Sequence, residues 1–527
     1  MKNKTEAKAR ASGKKKALPK KPAVGRPSVK KVNKKSAATK SLPKKTARSK
    51  KVAPAAKSKR VVKKAAPVSK KKTAASKTKN VPMSRTAAPH STAVVRSMSV
   101  LSSVAVMASG TPVNSVTSVP HVCAEPATQV KFGGVRRFPK PRLLWIGDAL
   151  VPTGFATVTH SVLNHLRHDW EVVVSGVNYD GSAHDLPYQV MPAWQGGDMW
   201  GMNRFQHLCA EFAPAAVVIN NDWWNVAQFA RIAPAGVPVI GYMPVDGGHL
   251  DPSAMRALNK LHAAVWYTRF GHREAVKAGF GGPGHIIPHG IDTGVFRPVS
   301  RTEARRLLDL NVPANAFIVG NINRNQPRKR LDVTIQIFAD WIKQHRISDA
   351  YLLLHCAKQD TGWDLHRVAA HHGVADRLIL TGGDDIREMQ GRRKLQLIYG
   401  SLDVQMTTTL GEGWGLTTME GMACGIPQIV PDSSALAEWA VPAVKVPCSR
   451  MLMNPEINTV GALVDDVPFV AALQKLYRDK AARARLSSQG IAHVRRNEFS
   501  WKNVAGRFST VLSAALRERP ARSKVFA

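Results

Sequence analysis

The sequence predicts an α/β protein of two tandem doubly wound domains facing a central cleft, preceded by a disordered basic tail. Three observations carry that expectation. From about Pro141 onward, short β-branched or aromatic runs alternate with helix-length amphipathic segments, the pattern of parallel strands joined by crossover helices. The alternation starts afresh after the turn-rich segment IIPHGIDTGVFRP. Ahead of both series, residues 1–140 hold 36 Lys and Arg against only Glu6 and Glu125, so +34 of the chain's net +41 lies there.

Residues 1–139 read as tail and linker. The first 80 or so are built from Lys, Ala, Pro, Ser, Thr and Val without a single aromatic residue, too little apolar surface to offset the entropy of ordering them. Residues 81–139 lose the lysine density but remain rich in Ser, Thr, Val and Pro. The mildly apolar stretch Thr92–Val113 is broken by Arg96 and Gly110, and no transmembrane segment is expected. The opening MKNKTEAKAR has no apolar core behind it, and five scattered cysteines without C-x-x-C spacing fit a reducing compartment. The expected location is therefore intracellular: cytoplasmic, or associated with a nucleoid or nucleus. Lys-rich arms bind polyphosphate by counterion release, so nucleic acid is the expected partner of the tail, with an anionic membrane or an acidic polysaccharide as the alternatives. Its composition is similar to that of linker-histone arms.

Residues 140–298 form the first expected domain, with strands in RLLWIG (142–147), WEVVVSG (170–176), AAVVIN (215–220), VPVIGYM (237–243) and AAVWYT (263–268). Segments Ala156–Arg167 and Met202–Phe212 supply crossover helices. Residues 299–500 form the second, with strands in AFIVGNI (316–322), YLLLHC (351–356), RLILTG (377–382), LDVQMT (402–407) and PQIVP (427–431). Its helices include Leu331–His345 and Asp364–His372; residues 501–527 hold a closing helix over Trp501–Arg517. A chain of 527 residues with two such units exceeds any single small binding module.

The segment LGEGWGLTTMEGMACGIPQIVPD, residues 410–432, carries the strongest chemical signal. A turn with Gly411, Gly413 and Gly415 follows a strand and leads into a helix, an arrangement that lets backbone N–H groups approach a diphosphate. Glu412 falls in the loop and Glu420 on the helix, two carboxylates suited to hold hydroxyl groups on either side of a bound phosphate.

This segment resembles the E-x7-E signature of retaining glycosyltransferases of family 4, which have the GT-B fold of two Rossmann-like domains. Other pieces match in order. TGFATVTHSVLNHL resembles the glycine-bearing first loop and helix, and IIPHGIDTGVFRP the interdomain segment. NINRNQPRKRLD is similar to the basic loop G-R-x-x-x-x-K-G, and FSWKNVAGRF to the closing helix. The resemblance implies transfer of a sugar from a nucleoside-diphosphate donor, with that donor as substrate and no other cofactor. Glu420 would bind the ribose, and Glu412 the transferred sugar. Arg324 and Lys329 would face the diphosphate, and Gly413, Trp414, Gly415 and Leu416 would lead the loop past it. Gly154 would bring its amide near the donor from the other side. Two cations and helix-end amides stabilise a leaving phosphate without a metal, and no metal site is expected.

The family commonly has a histidine after the third or fourth strand, where this chain reads INNDWWN, with Asn221 and Asp222. Asp246 and His249 in MPVDGGHL are the other candidates for assisting acceptor deprotonation, and Asp246 is the expected one. Trp223, Trp224 and Trp266 read as core or as stacking surfaces. The acceptor reading is a hydroxylated base in DNA, held near by the tail. The alternatives are a lipid or glycan acceptor, or an inactive DNA-binding scaffold.

Overall fold

A computed structural model describes residues 140–384, 391–454 and 457–518. The expectations of disorder and nucleic-acid binding for residues 1–139 lie outside these residues, as does the end of the closing segment.

Two parallel sheets dominate. The first has the order β3-β2-β1-β4-β5-β6-β7. Its strands are β1 (Arg142–Asp148), β2 (Glu171–Val177), β3 (Gln189–Pro192), β4 (Ala216–Asn220), β5 (Val239–Met243), β6 (Ala263–Trp266) and β7 (Gly284–Ile286). The second has the order β10-β9-β8-β11-β12-β13. It comprises β8 (Phe317–Asn321), β9 (Ala350–Leu354), β10 (Leu378–Leu380), β11 (Val404–Met406), β12 (Gln428–Pro431) and β13 (Val444–Val446). An antiparallel hairpin, β14 (Arg450–Asn454) and β15 (Thr459–Leu463), stands apart from both.

Helices cover both faces, which is why the central strands read as continuous apolar runs; every residue of β4, β5 and β8 is buried. Strand order reverses between β1 and β4 in one sheet and between β8 and β11 in the other. Loops leaving these strands open a crevice at the reversal, where such sheets bind ligands.

The closing helix, Trp501–Arg517, returns to the first domain. Ser500 caps it by accepting the Asn503 N–H at 3.2 Å. Trp501, Val504, Ala505, Phe508, Val511, Leu512 and Ala515 form one buried stripe. Phe508 meets Trp145 of β1 edge-on at 6.0 Å and Tyr242 of β5 at 4.8 Å. No helix among the described residues is long and apolar enough to cross a membrane.

Candidate functional site

The loop after β11 is fully buried from Thr407 to Trp414. Gly415 ends it with φ +90°, a left-handed conformation that a side chain resists, and turns the backbone into the helix Leu416–Ala423. No side chain caps that helix, so its first N–H groups remain for a ligand. Opposite stands the start of the helix Gly154–Leu166. A Cβ on Gly154 would touch Leu416 Cδ1 at 3.4 Å, so helix N-termini from the two domains face each other across the crevice. Thr153 shapes the first-domain end, accepting the Ala156 N–H at 3.1 Å and donating to Asp148 Oδ2 at 2.6 Å.

Beside this gap the loop after β8 is fastened to the loop after β11. Asn323 donates to Thr407 Oγ1 at 3.2 Å, and Leu410 N–H to the Arg328 carbonyl at 2.8 Å. The fastening brings Lys329 Nζ to Glu412 Oε1 at 2.5 Å, both residues 7% exposed. Burial pushes the Glu412 carboxyl up, but Lys329 and Arg328 outweigh it and hold the group below the ordinary carboxylate range. Burial, with Arg328 nearby, lowers Lys329 to about 8. At neutral pH the pair is ionic. A buried ion pair gives up its hydration and is weak evidence for stability, so its place in a crevice points to chemistry. Arg330 follows with φ +51°, left-handed, where the resembled motif has glycine, and binds Asp332 through two hydrogen bonds of 3.0 and 2.8 Å.

Glu420, on the inner face of its helix, is 7% exposed. Tyr399 donates to Oε2 at 2.7 Å, and burial lifts the carboxyl to about 7. Arg324 is part-exposed with its guanidinium clamped by Asp360 through two 3.0 Å bonds, and its charge is felt at Asp148, where burial raises the carboxyl and Arg324 opposes it. Trp414 sends its ring inward, stacked on Trp439 at 4.9 Å and 8°, and contributes to the loop as core. A Cβ on Gly413 would lie 2.3 Å from Pro244 Cβ and 3.0 Å from Pro244 Cα. Gly413→Ala is therefore expected to push the loops of the two domains apart, cutting turnover by about a hundredfold at a stability cost of about 1–3 kcal/mol. Turnover and thermal unfolding measured together check this.

The first domain lines the gap with acids. Asp148 ends β1, Asp222 opens the helix after β4, and Asp246 follows β5. Burial raises all three. Asp246 adds to the effect on Asp222, which reaches about 7, while Arg328 opposes it at both Asp222 and Asp246. Arg328 Nη1 lies 3.6 Å from Asp246 Oδ2 and 3.8 Å from Glu412 Oε2. Sequence reasoning missed Arg328, whose position beside Lys329 was its one signal. Asn221 is turned inward, accepting from Asp222 N–H and Asn225. His249 is exposed with φ +64°. Trp223 and Trp266 are core, and Trp224 is half-buried. Among the described residues no cluster of three His, Cys, Asp or Glu is arranged to hold a metal.

The arrangement offers cations and free amides to a diphosphate, one buried carboxylate to each neighbouring hydroxyl-bearing group, and an acid on the opposite wall. The family model "Glycosyl transferases group 1" matches residues 314–479. D-inositol 3-phosphate glycosyltransferase of Stackebrandtia nassauensis is 27% identical over 240 residues, 44% of this chain and 49% of the relative. Lipopolysaccharide core biosynthesis mannosyltransferase LpsB of Rhizobium meliloti is 26% identical over 245 residues, 45% of this chain and 62% of the relative. The chain spans about half the length of the first curated relatives it matches. Anabaena HepE, solved in complex with UDP-glucose, superposes with a TM-score of 0.57 at 16% identity, over 71% of this chain and 99% of that one. The described part of the chain thus has a GT-B-like fold of two Rossmann-like domains, and its second domain carries the match to the group 1 glycosyl transferases.

Proposed function

We propose that the chain is a retaining glycosyltransferase that moves a sugar from a nucleoside diphosphate to a hydroxyl acceptor without a metal. The buried Lys329–Glu412 pair beside two opposed helix N-termini carries this reading. The bond from the anomeric carbon to the phosphate oxygen breaks, and its electron pair stays on the diphosphate. Lys329, Arg324 and the amides of Leu416 and Thr417 stabilise that charge. The acceptor oxygen bonds to the same face of the anomeric carbon, and Asp246 takes its proton. Glu412 orients the sugar, and Glu420 the ribose. Incubation with a panel of nucleoside-diphosphate sugars in excess chelator tests it: one donor is hydrolysed or transferred, whereas a strict requirement for a divalent ion would contradict the reading.

The composition of the first 140 residues, at +34, supports a polyanionic acceptor, with a hydroxylated base in DNA as the specific reading. Deleting residues 1–139 is expected to leave donor hydrolysis unchanged and to weaken duplex binding sharply. Full-chain binding should fall with salt at a log–log slope of about −0.9 per phosphate neutralised. Labelled-sugar incorporation into DNA by both forms checks it. Efficient transfer to a lipid or glycan with none to DNA removes the DNA reading and leaves the transferase.

A further inference from the structure

Arg328 stands between the domains. Its backbone is fixed to the second, where its carbonyl accepts from Leu410 N–H and its guanidinium donates to the Gly411 carbonyl at 3.1 Å. The same guanidinium nitrogen approaches Asp246 of the first domain at 3.6 Å and Glu412 at 3.8 Å, and the side chain is 25% exposed. It spans the contact line where a Cβ on Gly411 would strike the Asp246 carbonyl.

We propose that Arg328 is a positioning residue for glycosyl transfer. By bridging Asp246 and Glu412, it sets the distance between the two carboxylates that flank the sugar. The proposal rests on the reading of this crevice as the transfer site. Lys329 pairs with Glu412 of its own domain, whereas Arg328 reaches a carboxylate on each wall. The groups facing Asp246 are Arg328, Lys329 and Glu412 from the second domain and Asp222 from the first. Burial raises Asp246 and Glu412 adds to it, while Arg328 gives the largest opposing effect and Lys329 a smaller one. Without Arg328, two acids on facing walls repel each other, and Asp246 holds its proton to higher pH.

The test compares the full chain with Arg328→Gln and Arg328→Lys in two measurements. In the first, pH–rate profiles with the accepted donor should show kcat falling by about a hundredfold in Arg328→Gln with donor KM nearly unchanged. The acid limb should move up by about one pH unit, with partial return in Arg328→Lys. The second follows melting temperature against pH without substrate. A carboxyl whose folded pKa lies above its unfolded value loses stability as pH rises between the two, so the decline should extend to higher pH in Arg328→Gln. In an Asp246→Asn background, which lacks the base, the same replacement should not move the pH dependence of melting. An acid limb that stays in place, a loss carried wholly by KM, or coincident melting profiles would overturn the proposal. If the wild type turns over no nucleotide-sugar, the transferase reading fails, and the melting profiles still decide whether the bridge sets Asp246. If Arg328→Gln does not fold, Arg328→Lys decides, with a smaller shift in the same direction expected.

Discussion

Lys329→Ala is expected to abolish transfer and to lower stability by about 3–5 kcal/mol. The size follows from burial. Glu412 at 7% exposure keeps only the more distant Arg328 as a cation partner, and a carboxylate so placed regains little hydration. Activity falls for a separate reason, because the charge growing on the leaving phosphate loses a cation inside a low-dielectric gap. The two effects come apart in the double variant Lys329→Ala/Glu412→Ala, which removes the unpaired acid and should recover much of the stability while remaining inactive. Thermal unfolding and single-turnover transfer on the three proteins check this. Full activity in Lys329→Ala would remove the pair from the mechanism.

Glu420→Gln is expected to weaken donor binding by roughly ten- to a hundredfold, the loss of one charge-assisted hydrogen bond of about 1.5–3 kcal/mol. Glutamine preserves an acceptor for the Tyr399 hydroxyl, which alanine would strand in the interior. Burial holds this carboxyl at about 7, so the wild-type site is half protonated there. Ribose hydroxyls donate best to the carboxylate, so wild-type affinity should strengthen as pH rises through about 7. The variant's should stay flat. In the unliganded protein the raised value has the opposite sign. The folded state binds this proton more tightly than the unfolded chain, so stability declines as pH rises from the ordinary carboxylate range to about 7, and Glu420→Gln lacks that decline. Calorimetric titration with a nucleoside diphosphate across this range measures the binding arm.

Much of this was legible in the sequence for a physical reason. Strands buried on both faces must be apolar throughout, and β1, β2, β4, β5 and β8 stand out as such runs. The strands that escaped are short edge pieces. β3 ends on Pro192, β7 has three residues of which two are exposed, and β13 carries Lys445. Their pairing is decided by neighbours more than by their own pattern. The hairpin β14–β15 alternates, but it serves to brace the first domain, with Gly248 and Val460 exchanging backbone hydrogen bonds of 2.9 Å. At the site, Glu412 and Glu420 were visible because one loop and one helix carry both. Tyr399 reaches Glu420 across 21 positions, Asp360 reaches Arg324 across 36, and Arg328 meets Asp246 only where the domains touch. Such partners belong to the tertiary fold and leave no local spacing to read. Trp414 lies in the loop expected to pass the donor, and its ring is core, stacked on Trp439.

A crystal structure of the chain with a bound nucleoside diphosphate tests the central claim most directly. The diphosphate is expected between Gly154 and the helix beginning at Leu416, within reach of Lys329 and Arg324, with ribose hydroxyls on Glu420. A diphosphate bound away from both helix N-termini, or a ribose that leaves Glu420 untouched, would contradict it.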